Sequence, residues 1–325
     1  MAWKRRCAEW RAPGRRWLRG VALLAIFIDG CADDPEGMED DGSSMAGDAG
    51  ETTPPSGTTD PPDDGGDGDG DGSGDGSGDG DDDCEEFVDE AHGVVTDAPG
   101  NVFITGSTTR SLDSQTHYGL EDAFLTKYNA AGVKQWTRQF GSSYRDIPRD
   151  LAIDSAGNLY VAGETNGTID GQSNAGGFDA FLTKYSANGT KQWTRVIGTS
   201  TPDVANGVAT DAAGNIYIAG STEYELDGQN YMGFTDRFLV KYDSDGLKQW
   251  TKQLGTINFD HATSVFADDA GYVYTAGYSA HSIDGQASEG MGDAFLTKWE
   301  DTGDRVWTVQ LGTITRDIAM DVLAD

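Results

Sequence analysis

The stretch DAFLTKYNAAGVKQWTRQFG, residues 122–141, decides the fold because the chain contains it four times. It recurs as DAFLTKYSANGTKQWTRVIG at 179–198, DRFLVKYDSDGLKQWTKQLG at 236–255 and DAFLTKWEDTGDRVWTVQLG at 293–312. Successive copies are 57 residues apart, so no insertion has accumulated between them. A fixed period of this length indicates a repeat architecture in which every copy forms the same structural unit.

Each copy contains four short runs of alternating apolar and polar residues, a pattern typical of β-strands rather than helices. In the second copy the runs cover 150–154, 158–163, 179–185 and 191–198. The segments DSAGN and SANG predict tight turns, because glycine reaches positive φ freely and Asp or Asn caps the turn through its side chain. Each copy is therefore predicted to form two antiparallel hairpins that join into one four-stranded sheet.

A lone sheet of this kind is marginal in water because both its faces are apolar and both its edges are open. Equivalent sheets that fan around an axis bury these faces. We therefore predict an all-β protein, a β-propeller of four-stranded antiparallel blades, over residues 89–325. The predicted blades cover 89–145, 146–202, 203–259 and 260–316, and residues 317–325 supply the first strand of a fifth.

The repeated pattern AxDxxGNxYxAGxT, followed by DAFLTKY, a glycine and a tryptophan, resembles the bacterial SBBP-type β-propeller repeat. The resemblance covers residues 89–325 and implies the propeller fold. It implies little about function, because few functions are established for the family. It also implies rings of seven blades, so the copies present predict a partial ring. Closure as four blades with a surplus strand, or completion by a second copy, are the alternatives. Because an open arc exposes the faces of both terminal blades, we expect self-association or low stability.

Residues 1–30 have the features of a secretory signal peptide. Seven Lys and Arg residues precede the apolar run VALLAIFI at 21–28, which is too short to span a bilayer as a permanent helix. The run leads into Ile28-Asp29-Gly30-Cys31, which resembles the lipobox of bacterial lipoproteins, although Asp29 departs from the residue types usual there. We therefore predict export and lipid attachment at Cys31, which would anchor the protein in the cell envelope at the outer membrane, facing the periplasm or the surface. An ordinary signal peptide or an uncleaved anchor is the alternative.

Residues 31–88 are predicted to form a disordered acidic linker. They contain no Lys or Arg, and the Asp/Gly-rich tract at 63–83 has too little apolar surface to offset the chain entropy lost on folding. The tract places Asp at several positions of an EF-hand loop but lacks the closing Glu, so we expect weak calcium association and no defined cofactor. The net charge of −32 opposes binding to nucleic acid.

Tryptophans and lysines recur in register and are predicted to be structural. A residue that every blade repeats normally packs sheet against sheet, whereas an active site breaks the symmetry. The tryptophans are Trp136, Trp193, Trp250 and Trp307, and the lysines are Lys127, Lys184, Lys241 and Lys298. Because the lysines lie in apolar strands, each needs an Asp or a strand-end carbonyl from a neighbouring blade. A ring of cations that recognises an acidic ligand is the alternative.

The loop between the second and third strands carries the candidate binding residues. Its core reads Asp-x-Gln in every copy, and these oxygens are suitable ligands for a hard cation or hydrogen-bond partners for a glycan. The candidates are Asp113, Gln115, Asp170, Gln172, Asp227, Gln229, Asp284 and Gln286. The interpretation that we favour is an Asx-type turn that closes each loop on itself. Variable residues of the same loops would face a ligand, namely Tyr118, Asn174, Tyr231 and Glu289.

The sequence contains no recurring catalytic constellation. Its four histidines are out of register, no His/Cys cluster has zinc spacing, and neither a GxSxG segment nor a phosphate-binding glycine loop occurs. We therefore predict a non-enzymatic, lipid-anchored scaffold that binds an unknown protein or glycan. One alternative is a propeller enzyme or cofactor binder of the glycosidase or quinone-dehydrogenase type. Another is a truncated structural repeat protein without its own ligand.

Overall fold

The structure, a computed structural model, describes residues 88–283 and 285–323. The predicted signal peptide, the lipid site at Cys31 and almost all of the predicted linker lie outside these residues. The described part contains sixteen strands, in chain order: β1 (Asp89–Thr96), β2 (Val102–Thr108), β3 (Asp122–Tyr128), β4 (Lys134–Phe140), β5 (Asp146–Ile153), β6 (Leu159–Thr165), β7 (Asp179–Tyr185), β8 (Lys191–Ile197), β9 (Asp203–Thr210), β10 (Ile216–Thr222), β11 (Asp236–Tyr242), β12 (Lys248–Leu254), β13 (Asp260–Ala267), β14 (Tyr272–Ser279), β15 (Asp293–Glu300) and β16 (Arg305–Leu311).

The strands form four separate four-stranded antiparallel sheets, each with its strands in sequence order. One sheet corresponds to one 57-residue copy, so the predicted all-β fold with four-stranded antiparallel blades is confirmed. The third and fourth strands of the second blade match the predicted runs closely. The first strand differs, because β5 begins at Asp146 rather than Asp150. A β-bulge between Pro148 and Asp150 shifts the side-chain alternation there, and every first strand has such a bulge.

Consecutive blades stack through their first strands. β5 packs against β1, β2 and β3, β9 packs against β5, β6 and β7, and β13 packs against β9, β10 and β11. Between residues 88 and 323 the fourth strands of neighbouring blades make no comparable contact, so the sheets diverge from their first strands outward. This is the arrangement of propeller blades.

The apolar core consists of three clusters, and each lies between two consecutive blades. One cluster joins Phe103, Leu125 and Phe140 of the first blade to Phe181 and Tyr185 of the second. Equivalent clusters join the second blade to the third and the third to the fourth. Because no cluster belongs to one blade alone, the contact between blades is what stabilises each sheet.

The tryptophans and lysines of the first three blades have the predicted structural partners, whereas Lys298 of the fourth blade lies over the rings of Tyr272 and Tyr274. A Cβ placed on Gly189 would lie 3.0 Å from the ring of Trp136, so the indole packs against the hairpin turn of the following blade. Gly246 and Gly303 meet the indoles of the preceding blades in the same way. The ammonium groups of three lysines donate to turn carbonyls of the following blade, in the pairs Lys127 to Ala187 at 3.3 Å, Lys184 to Ser244 at 2.7 Å and Lys241 to Asp301 at 3.1 Å.

The arc is open at the fourth blade. Leu311, which occupies the position of the buried Phe140 in the first blade, is 80% exposed. Residues 317–323 lie where a fifth first strand would begin, since Thr263 Oγ1 donates to Ala319 O at 2.5 Å. They form no strand ladder among the described residues. No helix in the described ranges has the length and apolar character that a membrane span requires.

Candidate functional site: the loop face

The predicted binding loops all lie at the same end of the blades. This end, called the loop face below, carries the β2–β3, β6–β7, β10–β11 and β14–β15 loops and the connections from each fourth strand to the next blade. In the first loop the Gln115 N–H donates to Leu112 O at 2.8 Å, and Asp113 and Ser114 have φ values of 49° and 61°. Two consecutive positive φ values define a type I′ turn. The same backbone bond recurs in the other three loops, at Gln172, Gln229 and Gln286.

The Asp side chains of these turns are bound to the outer strand of their own blade. Lys134 Nζ donates to Asp113 Oδ1 at 2.5 Å, and Thr137 Oγ1 donates to Asp113 Oδ2 at 2.5 Å. The bond from Lys134 lowers the pKa of Asp113 from its ordinary value. The contacts recur at 2.5 Å in the next two blades, between Asp170 and Lys191 or Thr194 and between Asp227 and Lys248 or Thr251. A cation at these positions would therefore compete with a lysine ammonium.

The other predicted loop residues differ in their surroundings. Asp284 lies outside the described residues, so its contacts are not part of this structure. Gln115, Gln172 and Gln229 are half-buried, whereas Gln286 is exposed. Tyr118 is half exposed, and the Asn174 amide donates to Thr165 O at the end of β6 and to Gly177 O in its own loop. The structure thus brings together Asp with Lys and Thr rather than Asp with Gln.

A second set of carboxylates lies beneath the loops and is not among the predicted site residues. These are the buried aspartates that begin each third strand, Asp122, Asp179, Asp236 and Asp293, and those that begin the following first strands, Asp146, Asp203 and Asp260. The Tyr118 N–H donates to Asp122 Oδ2 at 2.7 Å, and the Gln139 amide donates to the same oxygen at 2.8 Å. These aspartates recur exactly every 57 residues, and this recurrence is the sequence signal by which they could have been found.

Exposed aromatic side chains are concentrated on the loop face of the third blade. Phe234 and Phe259 stack with ring centroids 5.3 Å apart and an interplanar angle of 17°, yet they are 63% and 46% exposed. Tyr224 and Tyr231 form a second pair with centroids 5.8 Å apart. Single exposed apolar residues are normal, but a stacked pair that remains half in water indicates a contact surface.

A groove of about 590 Å³ lies between the loops of the third and fourth blades. Met232 and Ile257 line it, and they lie two residues before Phe234 and Phe259 in the chain. Polar lining comes from Thr256, His281, Ser282 and Ser288. The groove therefore combines an apolar wall with three hydroxyl groups and one imidazole. No group of three or more His, Cys, Asp or Glu side chains within the described ranges is close enough to hold a metal ion by itself.

A comparison with protein families identifies the repeat. Residues 135–169 and 192–223 match the family model of the SBBP beta-propeller repeat. The chain carries SBBP β-propeller repeats. This agrees with the resemblance that the sequence pattern indicated, and the matched SBBP segments cover the outer strand of one blade and the first part of the next.

Two curated proteins are similar to this SBBP-repeat chain. The regulatory protein FlaEY of Caulobacter vibrioides is 26% identical over 277 residues, which covers 73% of this chain and 29% of that protein. An uncharacterized WD repeat-containing protein of Acanthamoeba polyphaga mimivirus is 28% identical over 189 residues, covering 50% of this chain and 14% of that protein. The chain therefore spans less than a third of the length of either relative.

Solved structures resemble the chain only distantly. A protein of unknown function from Bacteroides caccae has a TM-score of 0.41 and 11% identity, covering 71% of this chain and 72% of that chain. A gluconolactonase from Xanthomonas campestris has a TM-score of 0.38 and 10% identity, covering 71% of this chain and 65% of that chain.

Proposed function

We propose that the protein is a non-enzymatic binding scaffold of the cell envelope, anchored by a lipid on Cys31 and recognising a glycan at its loop face. The observation that carries the proposal is the half-exposed stack of Phe234 on Phe259, in the two connections whose residues Met232 and Ile257 line the groove. Flat apolar rings provide a surface on which the apolar face of a sugar ring can pack, at little cost in side-chain entropy. Hydroxyl and imidazole groups in the groove can hydrogen-bond to sugar hydroxyls.

The aromatic residues of the third blade differ from those at the equivalent positions of the other blades, and this difference supports ligand recognition at the third blade. The position of Phe234 is held by Leu120 in the first blade, Gly177 in the second and Met291 in the fourth. A function specific to one groove needs residues that differ between blades, whereas packing residues such as the tryptophans recur. The aromatic surface is therefore a feature of the third blade rather than of the repeat.

A glycan array followed by calorimetry tests the recognition. The full-length chain is screened against envelope and plant-type oligosaccharides, and affinity for the best ligand is then measured for Phe234→Ala and Phe259→Ala. We expect at least a tenfold weaker affinity for each variant. Leu120→Ala is the matched control, because it removes an exposed side chain at the same position of the first blade. Absence of binding to every glycan, or equal affinity in Phe234→Ala, would refute glycan recognition at this groove.

The anchor is tested separately by fractionation of cells that express the chain. Wild type is expected in the membrane fraction and Cys31→Ala in the soluble envelope fraction, because a thioether-linked lipid requires the cysteine thiol. Labelling with a palmitate analogue gives an independent readout of acylation. Identical partitioning of the two proteins, together with no label on wild type, would show that Cys31 is not a lipid site.

A further inference from the structure

The loop face of the third blade carries four aromatic rings that are linked to one another. Phe234 stacks on Phe259, and the Tyr231 hydroxyl donates to Phe234 O at 2.9 Å. Tyr231 in turn packs against Tyr224, which is 54% exposed. These four residues form the aromatic surface, and two ring pairs of it remain open to solvent.

Two exposed glutamates lie on either side of Tyr224 in the chain. Neither Glu223 nor Glu225 forms an ion pair with another residue of the described ranges. Burial, Asp236 and Glu223 raise the pKa of Tyr231 from its ordinary value, which indicates that the charge of Glu223 acts on this ring pair. The aromatic surface is therefore bordered by negative charge that the protein does not pair.

The glutamates, like the aromatic residues, distinguish the third blade from the other copies. The segment Glu223-Tyr224-Glu225 reads Thr-Arg-Ser at 109–111, Asn-Gly-Thr at 166–168 and Ala-His-Ser at 280–282. Residues that the fold needs recur in every blade, whereas residues that serve one ligand need not. Because the carboxylates and the rings are introduced together in one blade, we expect them to contact the same ligand.

In other parts of the described chain, cations of the protein itself cover aromatic rings. Lys184 Nζ lies 5.4 Å from the ring centroid of Tyr160, and the guanidinium carbon of Arg316 lies 4.2 Å from that of Tyr278. Among the described residues, these cation–π contacts do not include the four rings of the aromatic surface. Open ring faces with negative charge at their border can accept a cation from a ligand.

Arg237, three residues after Phe234, is occupied within the protein. It stands where the other blades have alanine, its Nη1 lies 3.5 Å from Asp260 Oδ1, and its guanidinium lies over the Phe295 ring at 4.5 Å. Its side chain is 4% exposed, so it does not offer its charge to a ligand on the surface. An anionic ligand would therefore meet the glutamates, and the net charge of −32 opposes it further.

We propose that the ligand of the third blade is a glycan with free amino groups, whose ammonium groups lie on the aromatic surface beside Glu223 and Glu225. This inference rests on the proposed function and narrows its ligand class. Ring faces attract an ammonium group through their quadrupole, and the carboxylates add Coulomb attraction. A sugar ring also has an apolar face that packs flat on the stacked phenylalanines, so an amino sugar uses the rings and the carboxylates together.

Calorimetry with two matched oligosaccharides tests the ligand class. The probes are a tetrasaccharide of β-1,4-linked glucosamine and its fully N-acetylated counterpart, which share one backbone and differ in the charge on nitrogen. At about pH 6.5 the primary amines are protonated. We expect the full-length chain to bind the amino form about tenfold more tightly at low salt. This preference is expected to shrink in about 0.5 M NaCl, because salt screens the attraction between exposed charges.

Isosteric variants locate the preference. Glu223→Gln with Glu225→Gln is expected to weaken binding of the amino form about fivefold and to leave binding of the acetylated form unchanged. Asp245→Asn with Asp269→Asn is the matched control, because it removes two exposed carboxylates from turns at the opposite end of the blades. Association of amines with the acidic tract at 63–83 is common to all these proteins, so the comparison isolates the third blade.

The outcomes separate this inference from the proposed function. Equal affinity for the two oligosaccharides would overturn the amine preference and leave glycan recognition in place, whereas absence of binding to these and to every glycan of the array would overturn both. An undiminished preference in Glu223→Gln with Glu225→Gln would also overturn the inference. So would tighter binding of tetralysine than of the amino oligosaccharide, because the ligand would then be a cationic peptide.

Discussion

At the scale of the residue, the recurring aspartates and glycines explain each other. Each third strand begins with a buried aspartate, and each fourth strand is followed by a glycine directly against it. A Cβ on Gly255 would lie 1.8 Å from Asp236 Oδ1, and one on Gly198 would lie 2.5 Å from Asp179 Oδ1. The glycine recurs because a carboxylate occupies the space of its missing side chain, so the two residues are one structural feature.

Asp150 gives a prediction about pH at the same scale. Burial and, to a smaller extent, the charge of Asp321 raise the pKa of Asp150 to about 6, against the opposing effect of the N–H groups of Val208 and Leu151. A carboxyl group whose pKa is higher in the folded state contributes stability that is complete below its unfolded pKa and is lost as pH rises through the folded pKa. The stability of wild type relative to Asp150→Asn is therefore expected to fall by on the order of 2 kcal/mol between about pH 4 and pH 7.

Urea denaturation of both proteins at several pH values measures this difference. Other carboxylates with raised pKa values contribute equally to both proteins, so they cancel in the comparison. A difference in unfolding free energy that stays constant over the whole range would show that Asp150 has an ordinary pKa.

At the scale of the element, the hairpin of strands three and four is the part that locks one blade to the next. Its tryptophan packs on the following turn, and in the second blade Arg195 Nε donates to Gly246 O at 2.7 Å. The fourth blade has the same hairpin, but within residues 88–283 and 285–323 no further hairpin turn packs against it, and there Trp307 is 39% exposed. The tryptophan therefore packs on a following turn in the second blade and lacks that contact in the fourth.

Alanine substitution at Trp193 and at Trp307 measures how much the contact with a following turn contributes to stability. Trp193→Ala is expected to reduce the free energy of unfolding by about 2–4 kcal/mol, because it leaves a cavity between the second and third blades. Trp307→Ala removes the same atoms from a partly exposed position, so its expected cost is below about 1 kcal/mol. Both are measured by guanidinium denaturation. Similar losses for the two variants would mean that the tryptophan acts within its own blade.

The repeat made the elements predictable, because four copies of one pattern define strands, turns and blade limits. The packing roles of the tryptophans and the carbonyl partners of the lysines followed from the same recurrence. What the pattern did not reveal were contacts that depend on distance in space. The bulge at Pro148 moved the start of β5, and the binding of Asp113 to Lys134 and Thr137 joins residues over twenty positions apart.

The groove and Arg237 were missed for a different reason. Both involve residues that differ between the four copies. The role of such a residue can be inferred only once the residues that surround it in space are known. Arg237 in place of alanine was visible in the aligned copies, but its proximity to Asp260 required the fold. Phe234 and Phe259 are 25 residues apart in sequence and stack only because the connection after β12 returns beside the β10–β11 loop.

At the scale of the whole molecule, the exposed end of the arc predicts self-association. Leu311 and Ile314 are 80% and 82% exposed on the fourth blade, and Val309 replaces the arginine of the first two blades. We expect sedimentation velocity to show an average mass that increases with protein concentration, because the apolar end is buried when two copies meet. Leu311→Asp with Ile314→Asp is expected to keep the protein monomeric.

Leu247→Asp is the control for this prediction, since Leu247 is also largely exposed but lies in the turn between β11 and β12. It is expected to associate like wild type. A wild-type protein that remains monomeric at every concentration, or a control as monomeric as the double variant, would count against association through the fourth blade.

The central claim is that contacts between blades, rather than blades by themselves, stabilise the molecule. Hydrogen exchange of the monomeric full-length chain, followed by mass spectrometry, tests it most directly, because β8, β12 and β16 are equivalent strands with and without a following blade. We predict slow exchange in β8 and β12, which the next blade covers, and markedly faster exchange in β16. Equal protection of all three strands would contradict the claim.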